Sequence, residues 1–297
     1  MKRKFVSIGE CMVEMAPGGN GDYRLGFAGD TLNTAWYAKR TFSDDWEIAY
    51  LTAVGDDEIS RRMTEFIRDA GIRTDFIQKI PDRTVGLYLI QLNHGERSFA
   101  YWRSDSAARQ LAGDPARLEA AMVSAGVIYF SGITLAILSA HHRTSLLEAI
   151  SGARRNGAIV AFDPNLRPRL WEDAETMRQM VMSAAGVSDI ILPSHEDEAL
   201  HFGDPAPDAT ASRYGDAGAS LVVVKNGPGE IVSLDHGEIG RHDPVLVDSI
   251  VDTTAAGDSF NAGFLAAYLE RGDLSLAIRA GAELAARVIS RRGALVD

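Results

Sequence analysis

The sequence predicts an α/β fold: a three-layer α/β/α sandwich on a mostly parallel central sheet, with a small antiparallel β lid beside it. Three observations carry that prediction. Short β-branched runs recur along the chain, helix-length segments with apolar stripes separate them, and two stretches break this rhythm with alternating strand-like residues and turns. Strands that alternate with helices form right-handed crossovers, which put helices on both faces of the sheet. At 297 residues the chain is long for one core, but α/β folds of this length often form one unit, so residues 1–297 read as a single domain.

The strand candidates are FVSI (5–8), IAYLTAV (48–54), VIYFS (127–131), AIVAFD (158–163), DIILP (189–193) and SLVVVK (220–225). Several are apolar without alternation, as expected of strands covered on both faces. Between them lie the helical patterns TLNTAWYAKRT (31–41), EISRRMTEFIRDAG (58–71), HHRTSLLEAISGARRNG (141–157) and AETMRQMVMSAAG (174–186). Gly71, Gly157 and Gly186 are expected to close their helices just past the last turn. The two irregular stretches, about 11–28 and 84–103, read as paired strands, the second a hairpin turning at NHGE; as insertions they would build the lid. GDPAPDAT (203–210) reads as a loop.

Composition narrows the function. The net charge of −11 argues against a nucleic-acid surface, which needs a basic stripe, but leaves room for a local anion pocket. A single cysteine, Cys11, rules out an internal disulfide and a thiolate metal cluster, fits a reducing compartment and reads as a small buried hydrophobe. The basic residues at the start precede an apolar run that Gly9 and Glu10 interrupt, so no secretory segment is expected. No apolar stretch is long enough to span a membrane, and the expected location is the cytoplasm.

The most informative string is DTTAAGDSFNAGF (252–264). Small residues before a helix leave backbone N–H groups uncovered, and uncovered N–H groups at a helix start attract anions. The amides of Ala255, Ala256 and Gly257 are placed to converge on an oxyanion. Asp258 at the helix start can act as a base toward an acceptor hydroxyl, where an ordinary first-turn carboxylate is the structural alternative. Charge stabilisation, a metal and an orienting base are the parts that phosphoryl transfer needs.

This string resembles the C-terminal signature of the ribokinase-like (PfkB) sugar kinases, D-T-x-G-A-G-D followed by a helix. Ala255 stands where many members have glycine; a requirement for positive φ would strain it. GFAGDTLNTAWYAKR (26–40) resembles the family's N-terminal G-G-x-x-x-N-x-A signature, with Ala28-Gly29 in place of the glycine pair. The resemblance covers essentially the whole chain. It implies a ribokinase-like fold, Asp258 as catalytic base and residues 255–257 as the anion hole. It also implies ATP and Mg²⁺ as cofactors, and leaves K⁺ open as another. In the family's N-x-x-E element, which organises Mg²⁺ through water and phosphate, this chain has PSHEDE, with Ser194 and Asp197 at the matching spacing and Glu196 as a substitute carboxylate. VVKNGPGE resembles the turn along ATP, with Lys225 near the phosphates and Gly227 allowing close approach. The last helical pattern would cover the adenine with small residues such as Ala282.

At the acceptor end, Asp30 and Asn33 flank the Gly29 turn at a spacing suited to adjacent sugar hydroxyls, and Asp30 can also cap its helix. Tyr88, Tyr101 and Arg103 lie on the lid. Arg167 lies just past a strand end, where open α/β sheets bind ligands. Two arginines aimed at one pocket suit a carboxylate, which guanidinium pairs bidentately; pairing with Asp105 or Asp163 is the structural alternative. GDTLNTA, YWRSDSAAR and NLRPRLW together resemble the 2-keto-3-deoxygluconate kinases of the family. That resemblance implies phosphorylation of this sugar acid at O6, with Gly29, Asp30, Asn33, Tyr88, Tyr101, Arg103 and Arg167 contacting it. A fructokinase or related sugar kinase is the nearer rival, and an idle sugar-acid-binding regulator the farther one. The free edges of the lid lead us to expect a homo-oligomer, a dimer or larger.

Overall fold

The structure is a computed structural model; it describes residues 3–18, 21–93, 96–123 and 125–296, with side chains at 92, 93, 96 and 97 left aside. In chain order the strands are β1 (Arg3–Ile8), β2 (Met12–Pro17), β3 (Tyr23–Ala28), β4 (Trp46–Val54), β5 (Ile77–Lys79), β6 (Gly86–Asn93), β7 (Glu96–Trp102), β8 (Val127–Ser131), β9 (Ile159–Asp163), β10 (Ile190–Ile191), β11 (Leu221–Val224), β12 (Ile231–Asp235) and β13 (Glu238–His242). The helices are α1 (Asp30–Thr41), α2 (Glu58–Asp69), α3 (Pro115–Met122), α4 (Gly132–Ala136), α5 (Ala140–Arg155), α6 (Ala174–Gly186), α7 (His195–Phe202), α8 (Pro207–Asp216), α9 (Ala256–Arg271) and α10 (Leu274–Ile289).

The main sheet runs β13-β12-β11-β10-β9-β8-β1-β4-β5, parallel from β11 to β5 and antiparallel only at β12 and β13. Its strands are apolar on both faces because both are covered. Val6, Ile8, Ile128 and Phe130 pack with Leu146, Ile150, Met177 and Val181 of α5 and α6. Phe5 and Val127 point the other way, to Leu32, Phe260, Phe264 and Ile278 of α1, α9 and α10. Each such side chain taken from water to full burial contributes about 1.5–3 kcal/mol. Capping carboxylates and hydroxyls set several helix starts: Asp57, Ser139, Asp173 and Asp273 each accept from a first-turn N–H.

Three sequence expectations change. The lid sheet, β3-β2-β6-β7, is not wholly antiparallel: two antiparallel hairpins meet along a parallel β2–β6 pair. Of the expected NHGE turn, Asn93 pairs with Glu96, while His94 and Gly95 lie outside the described residues. Gly186 is the last residue of α6 rather than a left-handed cap, a role that Gly71 (φ 79°) and Gly157 (φ 96°) do fill. The segment 203–210 is not all loop, because Pro207 opens α8 at the position where its missing N–H costs nothing.

Candidate active site

The parallel strands bring their C-terminal ends to one edge, and the chain's direction across the sheet reverses between β8 and β1, where open α/β sheets form a ligand crevice. Glu10 follows β1, Ser131 ends β8, Asp163 ends β9, Ser194 follows β10 and Lys225 follows β11. Helices α1 and α9 start at the same place, since Asn33 Nδ2 donates to Asp258 Oδ2 at 2.8 Å.

The loop into α9 is braced by its first aspartate. Asp252, buried, accepts from the amide and hydroxyl of Thr254 (3.0 and 2.7 Å) with one oxygen and from the Gly293 amide (2.8 Å) with the other. Ala255 caps α9 in the left-handed region (φ 61°, ψ 17°), so the conformation that favours glycine is imposed on an alanine. One of the three amides expected to be bare is not: Ala256 N–H donates to Thr253 O at 3.2 Å. Among the described residues the N–H groups of Ala255 and Gly257 have no acceptor, leaving the helix start open to an anion. Lys225 Nζ adds a cation there, 3.5 Å from where a Cβ on Gly257 would lie.

Three carboxylates crowd this edge. Burial pushes Asp258 well above the usual carboxylate range, the nearby Asp30 charge raises it further, and the Asn33 hydrogen bond pulls it back. Burial likewise raises Asp30, against hydrogen bonds from Ser131, the Thr31 amide and Asn165, whose Nδ2 lies 2.8 Å from Asp30 Oδ2. Asp30 does not cap α1, as the sequence suggested it could; Gly29 holds that position and Asp30 is the first helical residue. Gly29 is a glycine for want of space, since a Cβ there would lie 2.2 Å from the Glu10 carbonyl oxygen. The third carboxylate, Asp163, accepts from Asn261 Nδ2 (2.7 Å) and Lys225 Nζ (3.3 Å).

On the nucleotide side, Ser194 bridges to Lys225 through the backbone, and Gly227 takes a positive φ of 53°. Asp197 lies 3.5 Å from Arg167 Nη1, so the carboxylate expected toward the metal and one expected substrate arginine are neighbours. Burial raises Asp197, and the Arg167 charge opposes this. Glu196 is exposed, and Ala282 is buried in the core around α9 and α10. Among the described residues no three acidic, histidine or cysteine side chains group as a metal cage.

On the acceptor side, Tyr88 and Tyr101 face each other across β6 and β7 with ring centroids 6.1 Å apart; Tyr88 is buried and Tyr101 is 54% exposed. Tyr88 and Arg103 are each held by a glutamate. Tyr88 donates its hydroxyl to Glu14, and Arg103 Nη2 donates to Glu10, whose other oxygen accepts from Ser106. Arg103 therefore pairs with neither Asp105 nor Asp163, and its buried Nε has no acceptor among the described residues. The same lid face packs on the C-terminal segment: Met12, Ala28, Tyr88 and Ile90 contact Ala294, with Ala255 and Leu295 alongside. Tyr37 fastens that segment, donating to Ala294 O at 2.8 Å.

As members of the site, Glu10, Glu14, Asp163, Asn165 and Asn261 escaped the sequence reading, which met Glu10 only as a break in an apolar run and Asp163 only as an alternative partner for an arginine. A polar residue in the apolar stripe of α9 was a usable signal for Asn261, fully buried between Phe260 and Phe264. For the two glutamates there was no such signal, because their partners lie 74 and 93 residues away.

A family model described as "pfkB family carbohydrate kinase" matches residues 2–297. The chain is 38% identical to a 2-dehydro-3-deoxygluconokinase of Dickeya dadantii, over 97% of this chain and 95% of that protein. It is 36% identical to a 2-dehydro-3-deoxygluconokinase of Haemophilus influenzae, over 99% of this chain and 96% of that protein. Among solved structures, a fructokinase with bound ATP from Xylella fastidiosa superposes with a TM-score of 0.86 at 22% identity, covering 99% of this chain and 94% of that one.

Proposed function

The chain belongs to the pfkB family of carbohydrate kinases, and on that premise we propose that it transfers the γ-phosphoryl group of ATP to O6 of 2-keto-3-deoxy-D-gluconate. The observation that carries the chemistry is the Asp258 carboxylate, oriented by Asn33 at 2.8 Å, beside the open N-terminus of α9. Asp258 takes the proton of the O6 hydroxyl as O6 bonds to the γ-phosphorus. The bond from that phosphorus to the β,γ-bridging oxygen breaks, and ADP leaves. The amides of Ala255 and Gly257, the α9 dipole and Lys225 stabilise the charge on the transferred group. Gly29, Asp30, Asn33 and the lid residues Tyr88 and Tyr101 bind the sugar acid, with Arg103 and Arg167 toward its carboxylate.

Ser194, Lys225, Gly227 and the α10 surface around Ala282 line the nucleotide. Mg²⁺ would supply charge neutralisation of the nucleotide phosphates there. Asp197 or Glu196 is the carboxylate that would face it. Among the described residues no helix is long and apolar enough to cross a membrane, and we place the protein in the cytoplasm. Tyr23, Leu25 and Trp102, exposed by 43, 41 and 60%, share the outer face of the lid sheet, and we read them as the contact of a homo-oligomer.

One observation favours a neutral sugar as the rival acceptor: both arginines already face carboxylates, Glu10 and Asp197. ADP release, coupled to a reporter and run with and without K⁺, decides between them. We expect turnover with 2-keto-3-deoxygluconate well above that with fructose or ribose. Equal or greater turnover with the neutral sugars would overturn the substrate assignment, and no sugar-dependent ADP release would overturn the kinase reading.

A further inference from the structure

Lys225 stands between two demands. Its ammonium must face the transferred phosphoryl at the α9 N-terminus, yet the buried Asp163 carboxylate sits within reach of it. Side-chain exposures of 12% and 6% show how little solvent screens the pair. In so dry a place the two would be expected to close into direct contact. They meet only at the long end of a hydrogen bond, Lys225 Nζ donating to Asp163 Oδ2 at 3.3 Å. The shortest bond to that oxygen comes instead from Asn261 Nδ2, at 2.7 Å. Asn261 also accepts from Lys225 Nζ through Oδ1 at 3.0 Å, and its amide reaches the Tyr129 hydroxyl at 3.0 Å. Asp163's other oxygen accepts from the Asn165 amide at 3.1 Å.

We propose that Asn261 is a positioning residue for phosphoryl transfer: its amide occupies the Asp163 carboxylate while its carbonyl holds the Lys225 ammonium beside Gly257, so that the cation stays available to the γ-phosphoryl group. The inference rests on the proposed role of Lys225. It follows from donor and acceptor count. A carboxamide offers both a donor and an acceptor, and here each faces the partner that needs it. Alanine offers neither, and the ammonium then closes further on Asp163, the partner it already touches at 3.3 Å. Aspartate keeps the shape but loses the donor and adds a second negative charge, which draws Lys225 further from the phosphate. Asn261 lies one helical turn beyond Asp258, fully buried, and so acts on the reaction only through its neighbours.

The test is a double-mutant cycle on steady-state kinetics with 2-keto-3-deoxygluconate and ATP. Lys225→Met comes first; near-normal turnover in that variant would remove the Lys225 role itself, apart from any claim about Asn261. With a Lys225→Met loss in hand, Asn261→Ala should lower kcat by about 10-fold or more and leave the sugar KM within about 2-fold, because the interaction lost is one made to the transferring group. Asn261→Asp should lower kcat further. In the Lys225→Met background, Asn261→Ala should add almost nothing. A full additional loss in that background, or equal changes in kcat and both KM values, would overturn the proposal. If the alanine variant does not fold, Asn261→Ser keeps one polar group in place, and its cycle with Lys225→Met decides by the same criterion.

Discussion

The two ends of the crevice are built from different materials. At the proposed phosphoryl end the groups on offer are main-chain amides at a helix start, in a turn of small residues braced by Asp252. At the acceptor end they are side chains, each held by a second side chain from a distant part of the chain: Arg103 by Glu10, Tyr88 by Glu14, Asp30 by Asn165. A main-chain site depends on local conformation and tolerates substitutions that keep the N–H. A side-chain site depends on buried partners, so a change there alters stability and affinity together. That contrast orders the expected lesions.

The largest effect is expected at Asp258, the proposed base at the phosphoryl end. Asp258→Asn should retain ATP and sugar binding and lose about 10²–10⁴-fold in kcat, the usual contribution of a positioned general base; calorimetric titration alongside initial rates separates the two. Arg103→Ala should raise the KM for the sugar acid by about 10–100-fold, the value of a charged hydrogen bond, with kcat far less affected. It should also cost about 3–5 kcal/mol of stability, because Glu10 is left buried without its cation. Denaturant unfolding reads this second effect, and a KM defect with unchanged stability would break the contrast between the two ends.

A subtler effect lies between the ends. As the proposed base, Asp258 must be the carboxylate, so turnover should fall as pH drops through its raised pKa. Asp30→Asn removes a neighbouring negative charge and should move the acid limb of the kcat profile to lower pH, whereas Asn33→Ala removes a stabilising hydrogen bond and should move it higher. Identical limbs in both variants would mean that another group governs the profile. The smallest effect is Ala255→Gly, which relieves a left-handed alanine and should stabilise the fold by about 1 kcal/mol or less with turnover nearly unchanged, as read from the shift in thermal midpoint.

The same contrast explains what could be read from the sequence. The anion-binding turn announces itself as DTTAAGD because its chemistry depends on small residues in a row, and the parallel strands do so because burial on both faces makes them continuously apolar. Even there one amide was misjudged: Ala256 closes a turn onto Thr253, a detail of backbone path that residue type does not encode. Arg103 was legible as a residue but not in its engagement, since Glu10 reaches it only after β1 and the lid have assembled. The parallel β2–β6 junction was hidden for a similar reason, as hairpin signals are local and the pairing between hairpins is not.

Asp252 ties the phosphoryl-binding turn to Gly293, and the residues just beyond Gly293 form the floor on which the lid rests. The turn and the lid are therefore upholstered by one short piece of chain. Any closure of the lid on an acceptor would press on the same few residues that brace the turn into α9. A kinase wired in this way has a mechanical reason to squander little ATP while its sugar pocket is empty.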